Sequence, residues 1–375
     1  MRTDTAAALL PDFGREVHCL LGLPFDAVDL AGAEARIRSA ASSGARCFLS
    51  TPNVNFLINS RMDPAFRMSV INSDLSVADG MPVVWLARLL GIPIPGRVAG
   101  ASLFESLRSR GAGRLSVYFF GGPDGAGEVA WRKLSSEADG GLKCVGFTSP
   151  GFGSVEEMSG DELIERINAA RPDLLVVALG ARKGQAWIER NRARLNAPVI
   201  SHLGAVLEFA AGATRRAPAW VQIAGLEWLW RIKEQPALWR RYFADGIALA
   251  QLVFTRVLPY AWYQRRNAPV GLQLAGAGLE TLEEHRRSLV RLRGAWTRAN
   301  LARLRRCCHH AARSGRDLRL DLGEVTYVDS AFVGLLMVVE AHQRRLGRRL
   351  ILLPVAEPVR RVIRFCCAEY LLAAA

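Results

Sequence analysis

Ser116-Val117-Tyr118-Phe119-Phe120-Gly121-Gly122-Pro123-Asp124-Gly125 is a short apolar run that stops at a glycine-rich turn and hands the chain to a helix-length segment. A run of this length without a charge reads as a buried strand, and the turn reads as a strand-to-helix connection. The same unit recurs on both sides. Apolar runs at Cys47–Thr51, Leu75–Ala78, Leu142–Phe147, Leu174–Leu179 and Val199–His202 are separated by segments rich in Ala, Leu, Arg and Glu. This rhythm predicts an α/β fold: a Rossmann-like, mainly parallel sheet with helices on both faces. Ligands of such sheets bind at the carboxyl ends of strands, where Thr51, Asp79, Gly121 and Gly180 fall.

Beyond residue 211 the character changes. Residues 212–267 hold five of the nine tryptophans (Trp220, Trp228, Trp230, Trp239, Trp262) among Arg215, Arg216, Arg231, Lys233, Arg240 and Arg241. Asn267-Ala268-Pro269 reads as a linker. Residues 270–375 then read as a small α/β unit. It has a long Arg-rich helix to about Ser314, a strand Leu318–Leu322, a turn Val325–Asp329, a helix Ala331–Leu346, a strand Arg349–Pro354 and a last helix from Pro358. The predicted organisation is a core at 1–211, a helical basic and Trp-rich appendage at 212–267, and a second small domain at 268–375.

Charge follows the same division. Of a net +14, residues 1–211 contribute nothing (22 basic, 22 acidic), residues 212–267 contribute +6 (9 against 3) and residues 268–375 contribute +8 (18 against 10). The 375 residues exceed what one core usually organises. The composition excludes a disordered, collagen-like or disulfide-scaffold chain. Seven scattered cysteines fit reduced thiols in a cytosol. Cys307-Cys308-His309-His310 resembles a ligand run, but adjacent helical residues cannot all face one ion, so no metal site is expected. No signal peptide is expected, because the Ala6–Leu10 run is too short. Gly246–Pro259 falls well short of the roughly 20 residues that span a bilayer. The expected location is cytoplasmic, peripheral at the inner face of the membrane.

Several turns offer chemistry. Thr51-Pro52-Asn53-Val54-Asn55 follows a strand; its Thr and Asn can bond a ligand, though such residues routinely cap helices. Asp79 ends a strand at Asp79-Gly80 and could act as a general base, although Asp-Gly is also an ordinary turn. Gly121-Gly122 and Leu179-Gly180-Ala181-Arg182-Lys183-Gly184-Gln185 open helices and offer backbone amides to a diphosphate.

Taken together, these segments resemble the WecG/TagA/CpsF glycosyltransferases, glycosyltransferase family 26. The resemblance rests on Thr51-Pro52-Asn53, Asp79-Gly80-Met81-Pro82-Val83-Val84-Trp85, Arg97-Val98-Ala99-Gly100, Phe120-Gly121-Gly122, Trp187-Ile188-Glu189-Arg190-Asn191, Phe209-Ala210-Ala211-Gly212, Arg216-Ala217-Pro218 and Gly225-Leu226-Glu227-Trp228-Leu229, in family order over about residues 17–245. It implies an inverting transfer of a sugar (N-acetylmannosamine, its uronic acid or a related hexose) from a UDP-sugar to a polyprenyl-diphosphate-linked saccharide. Asp79 would be the base, with Thr51 and Asn53 beside it. Arg97, Gly100, Gly121, Gly122, Gly180, Lys183, Gln185, Arg231 and Arg241 would bind substrate. No cofactor beyond the UDP-sugar donor and no metal is required. The family's Gly-x-Pro-Lys-Gln-Glu is here Gly180-Ala181-Arg182-Lys183-Gly184-Gln185, a departure on the donor side. That departure motivates the alternative of a catalytically weakened sugar-nucleotide sensor or scaffold.

The C-terminal stretch Leu320–Leu336, with Asp329-Ser330-Ala331-Phe332 at its centre, resembles STAS domains. Regulatory members carry a phosphorylated hydroxyl where this chain has Ala331, so a phospho-switch is disfavoured; Ser330 could simply cap a helix. The expected partner of this domain is another protein or the chain's own catalytic domain. The Trp- and Arg-rich appendage suits an anionic membrane surface. No nucleic-acid module is recognised and none is expected as a partner. Self-association into a homo-oligomer is left open.

Overall fold

A computed structural model describes residues 12–109, 113–137, 139–204, 206–207, 217–223, 225–284, 287–314 and 316–373. Ala6–Leu10, Phe209–Gly212, Arg215 and Arg216 lie outside the described residues. The chain gathers into two compact units. One holds Val28–Val84 and Ile94–Ile247; the other holds the N-terminal segment up to Ala27, Trp85–Pro93 and everything from Ala248. The appendage anticipated at 212–267 is thus shared between them.

In chain order the strands are β1 (Val17–Leu20), β2 (Leu23–Asp26), β3 (Cys47–Ser50), β4 (Leu75–Ser76), β5 (Leu115–Gly121), β6 (Leu142–Thr148), β7 (Leu174–Ala178), β8 (Val199–His202), β9 (Gly278–Glu284), β10 (Arg287–Trp296), β11 (Asp317–Val328) and β12 (Leu350–Val355). The first unit is built on a six-stranded sheet of order β4-β3-β8-β7-β5-β6, parallel throughout. All six strands expected from the sequence are present, shifted at their ends by at most two residues.

Alternation within each strand fills two cores, because successive side chains leave opposite faces of a sheet. Leu49, Val117, Phe119 and Val176 pack on one face with Ile37, Leu103 and Leu134 from helices Leu30–Ser43, Gly100–Arg108 and Ala126–Ser135. Phe48, Tyr118, Phe120 and Val177 pack on the other with Ile164, Trp187 and Ile188 from helices Asp161–Ala169 and Ala181–Asn191. Trp187 is fully buried, stacks on Phe120 at 4.2 Å and donates its indole N–H to the Met158 carbonyl at 2.7 Å. Removing so large a buried ring costs about 3–5 kcal/mol.

Strand order also fixes a crevice. From β5 the chain moves outward to β6, whereas from β7 it moves the opposite way to β8. Helices that leave neighbouring strands in opposite directions leave a gap at their carboxyl ends, where open α/β sheets take ligands. Here the gap lies between Gly121-Gly122 and Leu179-Gly180.

The second unit holds a four-stranded sheet of order β12-β11-β10-β9, with β9 antiparallel and the other pairs parallel. Two expectations need correction. The segment read as one long Arg-rich helix to Ser314 is instead a short helix Gly271–Ala275, the strands β9 and β10, and a helix Ala302–Ser314. In β10 the fully buried Val290 and Leu292 alternate with Arg291 and Arg293. That is a period of two, which the arginine content disguised. The turn expected at Val325–Asp329 is the end of one long strand, β11, which runs to Val328. Helix Ser330–Arg345 follows as expected, then β12 and helix Glu357–Phe365. All seven cysteines are free thiols, and only Cys307 is other than buried.

Candidate functional site

Three backbone segments meet at the β3–β4 end of the first unit. The Asp79 amide donates to the Pro52 carbonyl at 3.0 Å and the Val98 amide to the Ala78 carbonyl at 2.8 Å, so the turns after β3 and β4 are stitched to residues 97–100. Thr51 is buried there, and Gly100 opens a helix in a space closed by the Leu203 side chain and the Thr51 hydroxyl. The Asp79 carboxylate accepts the Gly100 N–H.

Asp79 is the electrostatic centre of the cluster. Burial pushes its carboxyl up to about 6, against the pull of Arg231 and Arg97; Glu227 adds to the rise and the Gly100 N–H opposes it. A carboxylate poised near neutrality is what a general base needs. Arg97 and Glu227 form an ion pair, and Arg97 also reaches Gln222 Oε1 at 3.5 Å. Glu227 and Arg231 lie one turn apart on helix Glu227–Glu234 and so share a face. The ion pair therefore fixes the helix that carries Arg231 toward Asp79.

Asn53 caps helix Val54–Met62, its Oδ1 accepting the Phe56 amide at 3.2 Å. Asn55 was quoted in the sequence only as part of its motif, yet it makes the longer-range link. Its Nδ2 donates to Asp245 Oδ2 at 3.0 Å, and its Oδ1 accepts from Asn59 at 2.9 Å. Asp245 is buried on helix Trp239–Leu252, so this bond holds the appendage helix to the core.

The glycine turns form a second group. Gly121 pairs with Ala178 across β5 and β7, and the Gly122 amide donates to the Ala178 carbonyl at 2.8 Å. Gly122 has φ +83°, and a Cβ there would lie 2.4 Å from Leu207. Only glycine fits. Gly180 opens helix Ala181–Asn191. Asp79, after β4, and Gly121, at the end of β5, are separated by four strand spacings, about 19 Å. The sheet thus brings Asp79, Thr51, Asn53, Arg97, Gly100 and Arg231 together at one end of a carboxyl edge and sets Gly121, Gly122 and Gly180 further along it.

The remaining expected residues are placed differently. Gln185 is fully buried and donates to Ser50 Oγ at 2.9 Å, itself 2.6 Å from Ser73 Oγ; it braces the floor under Thr51, and its Oε1 has no partner among the described residues. Lys183 is engaged by the Gly153 carbonyl at 2.8 Å, and the neighbouring Arg182 pairs with Asp63 at 2.6 Å. Arg241 is exposed, with its guanidinium over the Tyr242 ring.

His202 went unnoticed in the sequence. It ends β8, between β3 and β7, with Nε2 2.6 Å from the Leu179 carbonyl, and burial pulls it below its ordinary value. A carbonyl can only accept, so a neutral His202 carries its proton on Nε2. A lone histidine gives no pattern for the sequence to reveal.

Among the described residues no group of three or more His, Cys, Asp and Glu could hold a metal ion, and no helix is long and apolar enough to cross a membrane. A cavity of about 650 Å³ lies in the second unit, lined by Tyr263, Tyr327 and Arg361 among others; none of the site residues lines it.

Comparison with known proteins matches residues 18–262 to the glycosyl transferase WecG/TagA/CpsF family and residues 280–368 to the Mlab, STAS domain. Three similar proteins are each named N-acetylglucosaminyldiphosphoundecaprenol N-acetyl-beta-D-mannosaminyltransferase. The one from Bacillus spizizenii is 27% identical over 195 residues, covering 52% of this chain and 74% of the relative. That from Staphylococcus aureus (strain MRSA252) is 26% identical over 216 residues, 56% of this chain and 82% of the relative. That from Bacillus subtilis (strain 168) is 26% identical over 194 residues, 52% and 73%.

Proposed function

Because the chain belongs to the WecG/TagA/CpsF glycosyl transferase family, we propose that it moves N-acetylmannosamine or a closely related hexose from a UDP-sugar to a saccharide on a polyprenyl diphosphate. An acceptor hydroxyl attacks the anomeric carbon from the face opposite the nucleotide. The bond from that carbon to the diphosphate oxygen breaks, UDP leaves with the electron pair, and the configuration inverts. Asp79 takes the hydroxyl proton. Thr51 and Asn53 orient the sugar, and the Gly121-Gly122 turn with the Gly180 helix start receives the nucleotide end. Arg97, Arg231 and Arg241 offset charge on the diphosphates. The donor is the only small molecule required.

The observation that carries this reading is the Asp79 carboxyl, raised to about 6 and flanked by Arg97 and Arg231 at a strand end. The test is turnover of a panel of UDP-sugars with a synthetic lipid-diphosphate disaccharide precursor. Transfer with inversion that disappears in Asp79→Asn is the expected result. Tight donor binding without turnover would instead favour the sensor.

The acceptor is lipid-linked on this reading, and the appendage offers a surface for it. Trp239, Phe243 and Ile247 fall at i, i+4 and i+8 on one helix face and are all more than half exposed, with Arg240 at the edge of that face. The only acid of that helix, Asp245, is buried and held by Asn55. An apolar ridge edged by a cation suits anionic lipid at the inner face of the membrane, a nearby cation adding about 1 kcal/mol. Phe243→Ser with Trp239→Ser should abolish sedimentation with anionic vesicles while leaving UDP binding intact. Unchanged sedimentation would remove the ridge from the proposal.

A further inference from the structure

The N-terminal hairpin β1–β2 poses a problem of stability. Its turn, Leu21 (φ 49°) and Gly22 (φ 90°), has the two positive φ values of a type I′ connection, and its register runs from Val17 opposite Asp26 to Leu20 opposite Leu23. Every residue from Val17 to Asp26, turn included, is buried. A lone hairpin is marginal in water, so these strands need a socket. They also carry a buried Arg15–Asp26 ion pair at 2.7 Å, tolerable only when well packed.

The socket belongs to the STAS-matched unit, although the glycosyl transferase match begins at residue 18 inside the hairpin. Helix Ser330–Arg345 is buried on nearly every side. At Gly334 the backbone of β1 comes so near that a Cβ would lie 2.4 Å from the Val17 carbonyl oxygen. One turn earlier, His18 Nδ1 is 3.0 Å from the Ser330 hydroxyl, and both side chains are buried. The Cys19 thiol donates to the Cys366 carbonyl at 3.5 Å, and Gly22 abuts the Cys367 carbonyl just after helix Glu357–Phe365. Phe13 packs edge-on against His342 at 5.5 Å. Backbone, hydroxyl and ring contacts thus run along helix Ser330–Arg345, and the thiol and turn contacts meet the chain just after helix Glu357–Phe365.

We propose that helix Ser330–Arg345, together with the chain just after helix Glu357–Phe365, is a docking surface whose occupant is the chain's own N-terminal hairpin, so that the STAS module receives a segment of the transferase rather than a separate protein. The hairpin folds and unfolds with the STAS module, and the Ser330 hydroxyl is sealed from modifying enzymes. This inference does not depend on which sugar is transferred.

The cysteines report it directly, in the full-length protein. Cys19 marks the hairpin, Cys308 the STAS core, and Cys47 and Cys144 the first unit; all four are buried. Thiol labelling across a denaturant series, read by mass spectrometry, should show Cys19 losing protection together with Cys308 and apart from Cys47 and Cys144. In Gly334→Val, Cys19 should label at least about tenfold faster without denaturant while Cys47 and Cys144 stay protected. The proposal is overturned if wild-type Cys19 follows Cys47 and Cys144, if it reacts as readily as the half-buried Cys307, or if Gly334→Val leaves it protected. Should Gly334→Val fail to fold, the wild-type series alone decides.

Discussion

Asp79 and Asp329 occupy comparable local positions in different units. Each lies in the connection from a strand to a helix, Asp79 three residues beyond the end of β4 and Asp329 directly after β11, and burial raises both carboxyls above the ordinary value. Their surroundings differ. Asp329 accepts the amides of Ala331 and Phe332 at 3.0 Å and of Arg298 at 2.8 Å; it is a helix cap with its lone pairs occupied. Among the described residues Asp79 accepts the Gly100 amide and faces the charges of Arg231, Arg97 and Glu227. A carboxylate held by backbone amides stabilises the fold, whereas one held mainly by charged side chains is kept at a cost and is available to a substrate.

Substitution separates the two by the largest margin. Asp79→Asn should lower transfer by about 10²–10⁴-fold, the usual worth of a general base. It should not destabilise. A carboxyl raised from 3.8 to about 6 binds its proton more tightly folded than unfolded, so folded stability falls as pH rises through that interval. Above pH 6 the charge costs on the order of 3 kcal/mol, which Asn relieves. Thermal melting at pH 7.5 should therefore rise, and a large fall would make Asp79 a structural residue. Asp329→Ala should do the reverse, losing about 0.5–2 kcal/mol of stability with its cap. Denaturant melts would show that loss, and transfer per folded molecule should stay unchanged.

The comparison was only partly legible in the sequence. Short uncharged strands announced the parallel sheet, because both faces of such a strand are covered and the pattern is local. The strand ends could therefore be located from the residues alone, with Asp79 just beyond one of them. What distinguishes it from Asp329 is not local. Its partners arrive from residue 97 and from residues 227 and 231, about 150 positions away, while those of Asp329 come from its own helix and from residue 298. Asn55–Asp245 was hidden for the same reason. The β10 strand was missed because its arginines look outward in alternation, and the N-terminal hairpin because a pair of four-residue strands has no meaning until its socket is known.

The same partners give a smaller, signed effect. The acidic limb of kcat/KM should lie near pH 6, with activity rising as Asp79 loses its proton. Arg231→Gln removes a cation that favours the carboxylate, so the limb should move to higher pH. Glu227→Gln removes an anion and releases Arg97 toward Asp79, so the limb should move to lower pH. Shifts on the order of half a unit are expected at such sites. Movement of both variants in one direction would show that the limb belongs to another group.

The smallest effect concerns Gly180, and it extends the question from acids to glycines. Gly122 is required by the fold, since its positive φ and the nearby Leu207 exclude a side chain. Gly180 is not: its φ of −58° is ordinary, and a Cβ there would meet nothing within 4 Å. Gly180→Ala should thus leave stability within about 0.5 kcal/mol. If a phosphate approaches the first amides of helix Ala181–Asn191, the added methyl stands between them and the ligand. The KM for the UDP-sugar should then rise a few-fold, with kcat nearly unchanged and the KM for the lipid acceptor unmoved. An unaltered donor KM would move the nucleotide away from this helix start and leave the Gly121-Gly122 turn as its only glycine contact.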